Sequence, residues 1–95
     1  MNLSKILITG ADGFIGKNLC NSNLIYEKFD ILIANILSNT LIQLSTTFRA
    51  LAKEKIILSG VLDKQVPNVI NAYSDWIILK QTKNLEGWNL LEGKF

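Results

Sequence analysis

Four short apolar runs recur along this 95-residue chain: Ile6-Leu7-Ile8, Ile31-Leu32-Ile33, Ile56-Ile57-Leu58 and Ile77-Ile78-Leu79. Each is three consecutive aliphatics, entered from Lys5, Asp30, Lys55 or Trp76 and closed by Thr9, Ala34, Ser59 or Lys80. Unbroken rather than alternating apolar runs are the pattern of strands covered on both faces, as in parallel sheets. The runs start about 20–25 residues apart, which leaves room for a crossover helix between successive strands.

Between the runs the period becomes helical. Ile15 and Leu19 lie four apart in the first interval, and Asn21-Ser22-Asn23 ends or frays that helix. Residues 24–28 read either as its extension or as connection. In the second interval Thr40-Leu41-Ile42-Gln43 fits a capping box, with Asn39 the alternative cap. Leu41, Leu44, Phe48 and Leu51 then follow helical spacing. In the third, Asp63 is placed to cap, and Pro67 falls near the first turn, where its missing N–H is tolerated. Val66, Val69, Ile70 and Tyr73 form the apolar side of that helix. Residues 76–82 and 88–92 read as two strands joined through Glu86-Gly87, hence antiparallel. The pattern predicts one α/β domain over residues 1–95, small and Rossmann-like, in three layers or two, with a mainly parallel sheet and an antiparallel C-terminal hairpin.

Composition narrows the chemistry. Hydrophobic residues make up 48% of the chain, yet no run approaches the roughly 20 residues of a membrane span. Residues 1–9 carry neither a basic n-region nor a cleavage site, so no signal peptide is expected. The single cysteine, Cys20, excludes an intrachain disulfide and fits a cytoplasmic setting. The chain has no histidine, which removes the commonest general base and metal ligand, so no metal site is expected. Net charge is +2 with scattered lysines, which gives no stripe for nucleic acid.

The turn after the first run is the first candidate site. Gly10, Ala11, Asp12, Gly13, Phe14, Ile15 and Gly16 follow the strand directly. Spaced glycines let the backbone approach an anion, and amides that open a helix point at it. Residues 4–20 resemble the N-terminus of the extended short-chain dehydrogenases and sugar-nucleotide epimerases, whose T-G-x-x-G-F-I-G turn binds the pyrophosphate of NAD(P). The Tyr-x-x-x-Lys of that family is missing, since Asp30 and Ile77 stand four residues after the only tyrosines, Tyr26 and Tyr73. A carboxylate about 20 residues past the glycines, which would hold the ribose, has no good counterpart.

From Phe29 onward a different family is resembled. Phe29-Asp-Ile-Leu-Ile-Ala-Asn-Ile-Leu, Leu-Ile-Gln-Leu, Ile-Ile-Leu-Ser-Gly-Val-Leu with Gln65, Ala-Tyr-Ser and Glu86-Gly-Trp88 are similar to the C-terminal half of ribosomal protein L11 methyltransferases. That resemblance implies a class I fold dependent on S-adenosylmethionine. It places Asn35 where an amide orients a substrate nitrogen, with Ile36 and Leu37 on the substrate side. The departures are Thr9 where an acidic residue precedes the donor loop, Lys53-Glu54-Lys55 in place of Pro-Gly-Gly, and the missing ribose-binding strand and recognition domain.

The two resemblances read as a join of residues 1–28 to residues 29–95. Three functions follow: a methyltransferase-like domain inactive alone, a weak NAD(P)- or nucleotide-binding module, or a structural module without ligand. Neither S-adenosylmethionine nor NAD(P) is expected to bind tightly. Keeping the methyltransferase strand order makes the neighbours first, second, third, then the hairpin. Right-handed crossovers then put every helix on one face. Aliphatics on the other face predict a homo-oligomer through the helix-free face, or exchange of a strand between chains.

Overall fold

The computed structural model describes residues 6–9 and 28–95. Three of the apolar runs form parallel strands, β1 (Ile6–Thr9), β2 (Phe29–Asn35) and β3 (Ala52–Leu62). They pair in that order, with Leu7 opposite Leu32 and Leu32 opposite Ile56. A hairpin of β4 (Lys80–Leu85) and β5 (Trp88–Lys94) completes one mixed sheet in the order β1-β2-β3-β5-β4. β5 is antiparallel to both neighbours, so β4 runs parallel to β3 and the chain crosses over β5 to reach it.

Helices α1 (Ser38–Gln43) and α2 (Ser45–Leu51) connect β2 to β3. A 3₁₀ turn (Asp63–Gln65) and α3 (Val66–Tyr73) follow β3. Leu41, Phe48, Leu51, Val69 and Tyr73 from these helices bury against Leu32, Ala34, Ile56, Leu58 and Leu91 of the sheet. The polar atoms that Tyr73, Ser45 and Trp76 bring into this core are satisfied, as burial demands. The Tyr73 hydroxyl donates to the Leu41 carbonyl at 2.6 Å. Ser45 Oγ donates to the Ala72 carbonyl at 3.0 Å and accepts from Trp76 Nε1 at 3.0 Å. Burial pushes the Tyr73 pKa well above the ordinary phenol range.

Three local expectations need correction. Thr40 is not a helix cap: α1 begins at Ser38 behind an extended Leu37, and no side chain caps it. Helical bonds run on through Leu44, from Leu44 N–H to the Thr40 carbonyl and from Phe48 N–H to the Leu44 carbonyl. Asp63 is not a cap either. Its Oδ1 accepts from Asn84 and Asn89 of the hairpin, at 2.8 and 2.9 Å, which draws the carboxylate away from the helix amides. The fourth apolar run is not a paired strand. Ile77 and Leu79 bury, Ile78 stays exposed, and pairing starts only at Lys80. The run closes the core below the helices, while the polar residues after it form the edge, where charge protects unpaired backbone.

Candidate functional site

Parallel strands end together, and in open α/β sheets the crevice beyond their carboxyl ends is where ligands sit. Here that rim is formed by Thr9, Asn35 and Ser59-Gly60. Thr9 is the Cα partner of Ala34, and Asn35 that of Ser59. Beyond Leu58 the pairing of β3 with β5 is irregular, and Gly60 takes φ +81° there. A bulge next to a site commonly re-aims what stands beside it.

Asn35 shows the consequence. A Cβ on Gly60 would lie 2.7 Å from Asn35 Oδ1, closer than atoms tolerate, and 3.7 Å from the Ile36 carbonyl oxygen. Glycine is therefore required twice, by its left-handed backbone and by the amide resting on it. The Asn35 side chain is exposed, and no hydrogen bond to it is found among the described residues. Ile36 behind it is buried, whereas Leu37 is 72% exposed. Beside this group, Thr9 is 2% exposed and its Oγ1 has no hydrogen-bond partner. An unpaired buried hydroxyl is a cost, and it falls here at the mouth of the crevice.

The geometry brings Asn35, Ile36 and Leu37 to one rim. The glycine-turn candidates, residues 10–16, lie outside the described residues. Sequence reasoning missed Gly60, although the Ser59-Gly60 pair closing an apolar run was the available signal. It also missed the polar clamp behind the rim. Asn89, 2% exposed, donates to the Val61 carbonyl and to Asp63, both at 2.9 Å. It accepts from Asn84 at 2.8 Å and from Gln81. Backbone N–H of Asp63 reaches the Gly87 carbonyl at 3.1 Å. This clamp fixes the hairpin turn against the end of β3. No three side chains of metal-binding type come together among the described residues. No described helix is long and apolar enough to cross a membrane.

An exposed amide beside a backbone carbonyl can position an amine without itself acting as a strong base. Comparison with known proteins gives that chemistry a context. The family model for ribosomal protein L11 methyltransferase (PrmA) matches residues 11–95. The chain belongs to the ribosomal protein L11 methyltransferase family. The match starts within the glycine turn and runs across the expected join between residues 28 and 29, so it lends no support to a chimera or to a dehydrogenase-type start.

The L11 methyltransferase of Neisseria meningitidis serogroup B is 40% identical over 68 residues, and that of Paraburkholderia phytofirmans 41% over 68. Each match covers 70% of this chain but only 23% of the relative. A crystal structure of ribosomal protein L11 methylase from Lactobacillus delbrueckii subsp. bulgaricus superimposes with a TM-score of 0.71, over 97% of this chain and 70% of that one. At 14% identity it supports the fold alone.

Proposed function

We propose that this chain is a methyltransferase-family domain whose rim at Asn35 receives an amine nitrogen, and that it does not turn over by itself. The observation that carries this is the Asn35–Gly60 arrangement. A glycine that could not be another residue leaves an exposed amide unbonded at the carboxyl end of β2. In this reading Asn35 Oδ1 and a nearby backbone carbonyl accept the amine N–H groups and direct its lone pair. Ile36 holds the strand end in the core, and exposed Leu37 lies beside the substrate. Positioning of this kind accelerates a transfer without a strong base. S-adenosylmethionine would supply an electrophilic methyl group, with residues 10–16 proposed to line its site.

The chain spans about a quarter of the length of the curated relatives it matches, and the absence of turnover is proposed for this stretch tested alone. The experiment is a titration with S-adenosylmethionine followed by amide chemical shifts, with NAD⁺ in a parallel titration, and a radiolabelled-methyl assay on ribosomal protein L11. Shifts at Asn35, Ile36 and Gly60 with S-adenosylmethionine, and no label transferred, are expected. Shifts with NAD⁺ alone would displace the methyl-donor reading. Transfer that Asn35→Ala abolishes would overturn the expected inactivity.

A further inference from the structure

We propose that a groove at the amino end of β4 binds a small molecule through a phosphate-monoester group. The groove lies on the sheet face that carries no described helix. One register row of that open face runs Ile8, Ile33, Ile57, Glu92, Lys80 from β1 to β4, and the next runs Ile6, Ile31, Lys55, Lys94 from β1 to β5. Both pass from isoleucine to charge, and the groove, of about 410 Å³, sits at the charged end. Lys55, Lys80, Lys94, Thr82, Glu92 and Ile78 line it. It is separate from the Asn35 rim. Ser59, the partner of Asn35, comes after Lys55 along β3, so groove and rim lie toward opposite ends of that strand.

The charges in the groove select the ligand. Lys94 is the Cα partner of Lys55, so two ammonium groups stand opposite each other on adjacent strands. Like charges placed this way are destabilising. Glu92 offsets part of that cost. Its carboxylate lies 2.9 Å from Lys55 Nζ, hydrogen-bonds with the Thr82 hydroxyl and is attracted by Lys94. The groove thus already holds one anion, tethered to β5. Lys80 and Lys94 have no carboxylate within ion-pair distance among the described residues. Three lysines against one glutamate leave two positive charges in excess. A phosphate monoester carries about −1.5 to −2 at neutral pH, so one such group neutralises the groove. Its three terminal oxygens offer acceptors to both ammonium groups. The volume exceeds what a lone phosphate needs and falls within the roughly 300–1,000 Å³ of small-molecule sites. Ile78, 74% exposed, gives an organic body an apolar wall. The lysines gather in one groove and form no track, which fits a single phosphate and not a nucleic-acid backbone.

The test titrates the full chain with ribose 5-phosphate, inorganic phosphate and ribose in turn, at neutral pH and constant ionic strength, followed by amide chemical shifts. Ribose 5-phosphate should bind with shifts at Lys55, Lys80, Thr82 and Lys94. Inorganic phosphate should bind at the same residues severalfold more weakly, and ribose should not bind. Joint Lys80→Ala and Lys94→Ala, at exposed positions, should weaken the ester about tenfold, the effect of two exposed charge contacts. Glu92→Gln should tighten it about threefold, because the tethered carboxylate no longer competes for Lys55. Lys64→Ala, outside the groove, should leave it unchanged. Equal weakening by Lys64→Ala and by the paired lysine change overturns the proposal, as does a Glu92→Gln variant that binds no more tightly than the parent. Inorganic phosphate binding as tightly as the ester overturns the assignment of an organic ligand. Shifts centred on Asn35 and Gly60 would move the anion to the rim and overturn the groove.

Discussion

Leu32 and Ile33 are neighbours on one strand and meet different worlds. Leu32 is fully buried under the helices, while Ile33 stands in the isoleucine row of the open face. The same contrast holds across the sheet. Leu32, Ala34, Ile56, Leu58 and Leu91 are sealed, whereas Ile6 and Ile8 keep half or more of their surface. The lesson is that an aliphatic triplet equips a strand for cover on both sides, and connections decide which side receives it. Here every described helix lies on one side, so the aliphatics of the same strands are sealed on one face and stay partly exposed on the other.

The largest expected effect breaks the covered face. Leu32→Ala or Phe48→Ala should cost about 3–5 kcal/mol, because each leaves a cavity the packed helices cannot fill. Ile8→Ala should cost under about 1 kcal/mol, since little surface leaves water there. Urea midpoints of the three variants measure the difference. Similar losses for Leu32→Ala and Ile8→Ala would mean that the open face is covered in solution.

At the rim where the two faces meet, Gly60→Ala should cost about 1–2 kcal/mol from its φ alone. It should also push the Asn35 amide aside, so Asn35 and Ile36 amide shifts should change more than those of Leu41 or Phe48. Thr9→Val should act oppositely. It removes the unpaired buried hydroxyl at nearly constant volume, and a gain of about 1 kcal/mol is expected in the same urea experiment.

Much of this was readable from residues. Three apolar triplets gave three parallel strands in the expected neighbour order, and Glu86-Gly87 became a tight turn in which both residues take positive φ, 51° and 87°. Leu41, Phe48, Leu51, Val69 and Tyr73 form the helix side of the core as their spacing implied. What failed was local competition between partners. Asp63 had two routes, helix amides or hairpin asparagines, and only the folded hairpin brings Asn84 and Asn89 within reach. The run at residues 77–79 matched the other three triplets in composition, but Tyr73 accepts its backbone instead, from Ile77 N–H at 2.9 Å. Asn35 was singled out through the family resemblance, not through the pattern of its own segment. Gly60 was not singled out, because its role needs the bulge that sets its φ and the amide that rests on it.

Tyr73 sharpens the comparison by pH on the covered side. Its raised pKa means that the unfolded chain loses a proton near the ordinary phenol value of about 10 while the folded chain keeps it. The folded state then binds more protons, so stability falls as pH rises above that point. Tyr73→Phe should lose about 1 kcal/mol near neutral pH with the bond to Leu41, and its alkaline decline should be shallower than that of the parent.

The open face should show the opposite sign, and weakly. The Lys55 ammonium hydrogen-bonded to Glu92, with Thr82 also donating, holds the Glu92 carboxyl below the usual glutamate range. A depressed folded-state pKa contributes stability that is fully present above the unfolded value, roughly 4.3, and is lost as pH falls through the folded one. Both partners keep contact with water, so the contribution should be only about 0.3 kcal/mol and should shrink with salt. Glu92→Gln should therefore be slightly less stable than the parent at neutral pH, and the two should converge as pH drops below about 4. Urea midpoints at low ionic strength across that range measure it. A gap that persists in acid would rule out the carboxylate charge as the cause, since glutamine keeps the same side-chain length.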